Sequence, residues 1–275
     1  MVMAEQSLRV RQTNDQIRRD PLHRNMFLID SSHDFSVAKL ELVTDKIAPP
    51  ARMPRVSRSR LLSTLQQSVA SGTSTIISGR AGTGKTALTL DFSRQCGRAV
   101  AWYKIDAPDA DAQVFFNYLV GSIQECRPDF GRALLLALLA QAQLDSMDKL
   151  ADAFVYELAE GENRNPLLIV LEDLHLVSDC DWLVPFFGRL LPLLPSEVHL
   201  VITSRSLPPA PLWRMRSKQT LVVIDEATLA FTRHEALALF ESYGLTPEQA
   251  NIALDHTHGR AASLDESARF MRERC

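Results

Sequence analysis

The chain has 275 residues, 46% hydrophobic and 23% charged, with a formal net charge of -3. That is enough for one large domain or two small ones, and it excludes fibrous and disordered polymers. The acidic balance also argues against a surface built mainly for nucleic acid, which needs a concentrated basic face.

Residues 1–45 are polar, mixed in charge and weakly periodic, and read as a loosely ordered arm with no apolar core of the kind a secretory signal needs. "PPARMPRVSRSR", Pro49 to Arg60, reads as a solvated, proline-stiffened lead-in. A helix is predicted from near Ser57, where Leu61, Leu62, Leu65 and Val69 recur at helical spacing. Thr73 to Ser78 reads as a buried strand, followed by a glycine-rich turn and a helix from about Thr86 to Cys96. "AVAWYKI", Ala99 to Ile105, is strand-like, and the next segment is helical with Asp109 or Asp111 near its start. Helices are expected near Phe130 to Leu144 and Ser146 to Glu160. The longer apolar run within them, "ALLLALLAQAQL", falls short of the roughly 20 residues a membrane crossing requires.

"LLIVLED", Leu167 to Asp173, is apolar enough for a strand covered on both faces. A helix at Asp181 to Leu194, a strand at "VHLVITSR" and a strand at Thr220 to Ile224 complete the alternation. Such alternation predicts an α/β fold with a parallel sheet of about five strands between helices. From Ala227 onward short helices take over, with Gly244 and Gly259 as stops, and read as a small helical lobe. The expected division is an arm at 1–45, a nucleotide-binding domain at 46–225 and a small helical domain at 226–275. The four cysteines form no C-x-x-C pair, so neither a zinc ribbon nor a disulfide framework is expected and a cytoplasmic setting is.

The chemistry starts at "GRAGTGKT". Gly79, Arg80, Ala81, Gly82, Thr83, Gly84, Lys85 and Thr86 match G-x-x-x-x-G-K-[ST], preceded by a strand and followed by a helix. The glycines let backbone N–H groups turn onto phosphates at the positive end of a helix, Lys85 reaches the β- and γ-oxygens, and Thr86 ligates magnesium. ATP or ADP with Mg2+ are the expected cofactors. Such a site needs an acidic strand end, which Glu172 and Asp173 supply. Glu172 is assigned toward magnesium, mostly through water, and Asp173 toward the attacking water; the swapped assignment stays open, since Asp is the usual metal-side residue. Arg205, at the tip of the next strand, is placed to sense the γ-phosphate or stabilise charge on it. His175 either relays the nucleotide state or is structural. No H-E-x-x-H, G-x-S-x-G, H-R-D or D-F-G pattern is present, and the pairs Phe115/Phe116 and Phe186/Phe187 read as core.

The order "ISGRAGTGKTALTLDFS", "VAWYKIDAPDADAQVFFNYLVGSI", "LLIVLEDLHLV", "LVITSRSLPPAPLWRMR" and "ATLAFTRHEALALF" resembles the ATPase module of the STAND class, more closely that of the MalT-like and LuxR-type bacterial regulators, over Lys46 to Leu264. "W-Y-x-x-D", "L-A-F-T-x-x-E-A" and "G-R-A-A-S-L" are more specific to it than the phosphate loop. The resemblance implies a P-loop NTPase fold and an ATP-dependent switch. ADP holds a closed resting form, ATP with an inducer favours an open form that self-associates or engages a partner protein, and slow hydrolysis resets it. It places the metal-side acid on Glu172, where Asp is more usual, the second acid on Asp173, a sensor arginine on Arg205, and an adenine-side lead-in on Pro54 to Arg58. Regulators of this type continue into a winged helix, a helical-repeat sensor and a helix-turn-helix. No DNA-reading helix is recognisable in these 275 residues, so the chain reads as an excised piece or a short stand-alone ATPase without specific nucleic-acid binding of its own. The alternative function is a nucleotide-dependent interaction module that hydrolyses nothing.

Overall fold

The computed structural model describes residues 42–72, 74–140, 146–160, 165–207 and 221–274. Most of the expected N-terminal arm, with its arginines, and the proline-rich connector at 208–220 lie outside these residues. Five parallel strands form one sheet: β1 (Ser74–Ser78), β2 (Ala99–Lys104), β3 (Leu167–Glu172), β4 (Val198–Ser204) and β5 (Leu221–Ile224), in the order β2-β3-β4-β1-β5. Every residue of β1, β3 and β4 is buried, which explains why β3 reads as a near-continuous apolar run rather than as alternation, while the Ser, Thr and His residues of β1 and β4 are buried with the rest. The edge strands β2 and β5 are only partly covered.

Helices cover both faces. On one side α1 (Ser59–Ala70) and α2 (Lys85–Gln95) pack Leu61, Leu65, Leu88 and Phe92 against Ile77, Val170 and Val201. On the other, α3 (Ala112–Gln124), α4 (Ala133–Leu139), α5 (Met147–Ala159) and α6 (Leu183–Leu190) build a larger, aromatic core. Phe116 and Phe186 meet edge to face at 4.6 Å, and Phe154 meets Phe186 at 5.4 Å, so both phenylalanine pairs are core side chains as expected. Truncating one such ring to alanine costs about 3–5 kcal/mol.

Local chemistry sets the boundaries. Asp111, not Asp109, caps α3 by accepting from Val114 N at 3.0 Å. Asp109 is fully buried in a short 3-10 turn, Ala107–Ala110, where it binds Lys46 Nζ at 2.6 Å and Asp106 N at 2.8 Å. Burial works against the Lys46 ammonium, but its bonds to Asp109 and Asp106 outweigh that and hold its pKa above the ordinary value. The helix expected over Asp181 to Leu194 is shorter: α6 ends at Leu190 and a 3-10 turn, Leu191–Leu193, follows, because Pro192 cannot continue the α-helical ladder.

The C-terminal helices are α7 (Glu226–Leu229), α8 (Arg233–Glu241), α9 (Pro247–Thr257) and α10 (Ala261–Glu273). Thr232 with Glu235, and Thr246 with Gln249, form capping boxes at α8 and α9. Gly244 and Gly259, at φ 76°, end the preceding segments in the left-handed region. The last three helices share a core of their own around Leu239, Phe240, Ala250 and Leu264. Among the described residues no helix is long and apolar enough to cross a membrane.

One buried titratable group ties the sheet to pH. His199 on β4 is 3% exposed, and its Nε2 lies 3.3 Å from Thr75 Oγ1, which in turn meets Ser68 Oγ at 2.8 Å. Burial, with the nearby Arg98 charge, pushes its pKa down to about 4. The unfolded chain protonates this ring from about pH 6.5 downward while the folded chain resists to about pH 4, so stability is lost as pH falls through that window, by roughly 3 kcal/mol. Urea unfolding of the wild type and of His199→Leu between pH 7 and 4 is expected to show a smaller fall in the variant; equal slopes would reject His199 as the cause.

Candidate nucleotide-binding site

Parallel register brings three chain ends to one edge of the sheet. Ser78 pairs with Ser204 and Leu171 with Ile202, so the loop after β1, the acidic end of β3 and the tip of β4 emerge side by side. Cross-links keep them there: Gly79 N donates to Ser204 O at 3.1 Å, and Asp173 N to Thr203 Oγ1 at 3.1 Å. Ligands in open parallel sheets bind at such carboxyl edges.

The loop turns on Gly82 and Gly84, at φ 79° and 87°, and Lys85 opens α2. No acidic side chain stands in the first turn of α2, so its positive end is free to act on an anion. The Lys85 ammonium is buried and held by the loop's own carbonyls, Gly79 O at 2.5 Å and Arg80 O at 3.1 Å. Burial, reinforced by the charge of Arg205, lowers its pKa, against the opposing charges of Asp173, Glu226 and Glu172.

Glu172 is 5% exposed, and both of its oxygens are engaged: the Thr86 hydroxyl donates to Oε1, and the Trp102 indole N–H donates to Oε2 at 3.2 Å. Asp173 differs from its neighbour. Its backbone is left-handed, at φ 62° and ψ 39°, a non-glycine exception, and its carboxylate lies near enough to Lys85 for its charge to act on that ammonium. Its Oδ1 is 3.7 Å from His175 Nδ1, a buried atom with no hydrogen-bond partner. Burial lowers the His175 pKa, and the charges of Arg205 and Lys85 add to this against Asp173. Arg205 is exposed, with no hydrogen-bond partner for its guanidinium among the described residues. The oxygens of Thr86 and Glu172 suit a hard cation such as Mg2+.

Beside the loop lies a cleft of about 330 Å³. Met53, Val56, Phe231 and Leu239 supply apolar wall, and Arg55, Asp91, Asp265 and Arg269 supply polar groups. This is within the size range of small-molecule sites. Gly82, Gly84 and Ala87 also line it, so cleft and phosphate loop are continuous.

The C-terminal helices touch the loop directly. Arg260 Nη2 donates to Ala81 O at 2.6 Å and Ala262 N to Gly82 O at 2.8 Å. Arg80 holds Glu226 through Nε at 2.8 Å, and its own backbone N–H adds a bond at 2.9 Å. Arg58 is 4% exposed, its guanidinium donating to Leu229 O at 2.7 Å and Gly84 O at 3.2 Å and lying 4.9 Å from the Phe231 ring. Burial pushes its pKa down to about 10.

Most of the residues singled out in the sequence therefore meet at one place: Gly79 to Thr86, Glu172, Asp173, His175 and Arg205. The lead-in expected to be solvated is not solvated throughout, because Arg58 is buried between loop and helices. Sequence reasoning also missed Trp102, Glu226 and Arg260 as neighbours of the site. Trp102 and Arg260 fall inside the phrases "W-Y-x-x-D" and "G-R-A-A-S-L", the one signal that pointed to them; Glu226 carried none.

A family model described as AAA ATPase domain matches residues 55–203, more than half of the chain. The chain is similar to the HTH-type transcriptional regulator MalT of Cronobacter sakazakii, 31% identical over 235 residues, covering 81% of this chain and 24% of the relative. It is 28% identical to that of Serratia proteamaculans over 229 residues, again 81% and 24%. The chain thus spans about a quarter of the length of these curated relatives. Among solved structures, a Walker-type ATPase of Pyrococcus abyssi overlaps it with a TM-score of 0.48 at 12% identity, covering 82% of this chain and 72% of the other. The chain belongs to the AAA ATPase domain family and is a MalT-like P-loop ATPase module.

Proposed function

We propose that the chain is an ATP/ADP-binding switch with slow ATP hydrolysis, the nucleotide module of a bacterial signalling or transcription regulator. One observation carries this reading: a glycine loop and its lysine, a buried carboxylate on the loop threonine and a second carboxylate beside His175 come together at one sheet edge, next to a cleft that two of the loop's glycines also line. Thr86 and, through water, Glu172 would hold Mg2+, which supplies charge neutralisation on the β- and γ-phosphates. Lys85 would exchange its loop carbonyls for phosphate oxygens. The burial and double anchoring of Glu172 favour the metal side for it and leave the water-polarising role to Asp173, whose charge acts on Lys85. Arg205 would meet the γ-phosphate, and the cleft beside Pro54 to Arg58 would take the adenosine. Regulation of transcription and self-association in the ATP state are proposed by similarity to relatives about four times as long. Such a module would work in the cytoplasm, as one domain at 46–225 with a helical domain at 226–275.

The competing reading is an interaction module that holds nucleotide without turnover. It draws on Glu172, one methylene longer than the usual aspartate. Single-turnover hydrolysis separates the two.

A fluorescent ATP or ADP analogue with Mg2+ is expected to bind the wild type, and Lys85→Ala is expected to lose at least about tenfold in affinity; equal binding would reject the site. Asp173→Asn should retain nucleotide and lose turnover by roughly 10²-fold or more, the usual contribution of a positioned base. Wild-type turnover of zero would instead establish the inert module.

A ligand shifts a conformational equilibrium only through its differential contacts. Because Arg260 and Ala262 sit directly on the loop carbonyls, a change in the loop reaches the helices without an intermediate. Hydrogen exchange in residues 221–264 is expected to differ between ADP and a non-hydrolysable ATP analogue, and Arg205→Ala to abolish that difference while leaving ADP affinity within about twofold. Loss of ADP binding in this variant would mark the arginine as structural.

A further inference from the structure

A buried donor on the neighbouring strand touches the acidic end of β3. Trp102 is 1% exposed on β2, and its indole N–H donates to Glu172 Oε2 at 3.2 Å. The register shows how it gets there. Trp102 pairs with Val170, so it and Glu172, two residues further along β3, lie on the same face as diagonal neighbours, a separation a large aromatic side chain spans. That face packs against α2, which brings Thr86 to the other oxygen.

We infer that Trp102 is a positioning residue for the Mg2+-side carboxylate: its indole N–H fixes Glu172 in the orientation in which the site takes Mg2+-nucleotide. The inference rests on the nucleotide-binding reading and assigns a new member to its site.

Three physical points support it. A glutamate has one more rotatable bond than an aspartate, so a single bond from Thr86 leaves its carboxylate free to swing, and a second anchor removes that freedom. A carboxylate buried in a strand end is costly unless its lone pairs are satisfied. The indole N–H is a donor only and does not titrate, so it can hold one oxygen at every pH without competing as a metal ligand. Trp102 therefore offsets the departure from aspartate at position 172. Partners of this kind typically set metal affinity by tenfold or more.

The test uses the full chain and N-methylanthraniloyl-ATP, titrated in Mg2+ and in EDTA. Two variants remove the N–H: Trp102→Phe, and replacement of Trp102 by benzothienylalanine, which keeps the bicyclic shape and substitutes sulfur for N–H. Both are expected to reduce the gain in affinity on adding Mg2+ by roughly tenfold while leaving EDTA affinity within about twofold. In ¹⁵N-tryptophan spectra the Trp102 indole N–H signal should lie downfield in the wild type and move upfield in Glu172→Ala. A benzothienylalanine variant with the wild-type gain overturns the inference, as does an indole signal indifferent to Glu172→Ala. A wild type that binds nucleotide with no gain from Mg2+, or binds none, removes the underlying reading and the inference with it.

Discussion

The loop between Ser78 and Lys85 can have no side chains at Gly82 and Gly84, and the rest of the site depends on that constraint. Both glycines are left-handed, and both are crowded: a Cβ on Gly82 would stand 2.9 Å from Ala262 Cβ, and one on Gly84 3.1 Å from Ala261 Cβ and from the Arg58 guanidinium. Phosphate cradling asks for the backbone freedom, while the packed helices ask for the missing volume. The same two residues therefore serve the turn of the loop and its close packing against α10 at once.

Charge is distributed to match. Cations ring the loop from outside, each on an acceptor: Arg58 and Arg260 on main-chain carbonyls, Arg80 on Glu226. Of these carbonyls Leu229 O lies at the end of α7, where acceptors are left over by the helical ladder, and Ala81 O lies in the loop. Arg58 is the extreme case, since burial lowers its pKa yet two carbonyls and the Phe231 face compensate it. Lys85, Asp173, Glu172 and Arg205 face one another across the site; burial lowers the Lys85 and His175 pKa values, and the charges of Asp173 and Arg205 act on both in opposite directions. The two acids, adjacent in the chain, have different partners: Thr86 and Trp102 hold Glu172, while Asp173, on a left-handed backbone, lies beside His175.

The short phrases by which the chain resembles its relatives acquire physical meaning here. In "W-Y-x-x-D" the tryptophan holds Glu172 and Asp106 helps bind Lys46. In "L-A-F-T-x-x-E-A", Phe231 lies under Arg58 while Thr232 and Glu235 cap α8. In "G-R-A-A-S-L", Gly259 lies so close to Phe231 that a Cβ would come within 2.8 Å of its backbone, Arg260 and Ala262 bind the loop, and the small Ala261 and Ala262 clear the glycines.

By itself the sequence determined the α/β alternation, the doubly covered strand that ends at Glu172, the phosphate loop and the acidic strand end, because each is written in contiguous residues whose period or spacing follows from backbone geometry. Cap positions were legible to within a residue or two, and Asp111 rather than Asp109 was decided only when Asp109 found Lys46 across the fold. Tertiary structure alone decided the strand order, which seats β4 between the loop strand and the acidic strand and so delivers Arg205 to the site. It also decided the burial of Arg58, the Arg80–Glu226 pair and the indole bond to Glu172, which join residues 70 or more positions apart. No local pattern encodes such pairs, because what selects them is the meeting of unsatisfied donors and acceptors after the sheet and helices have packed.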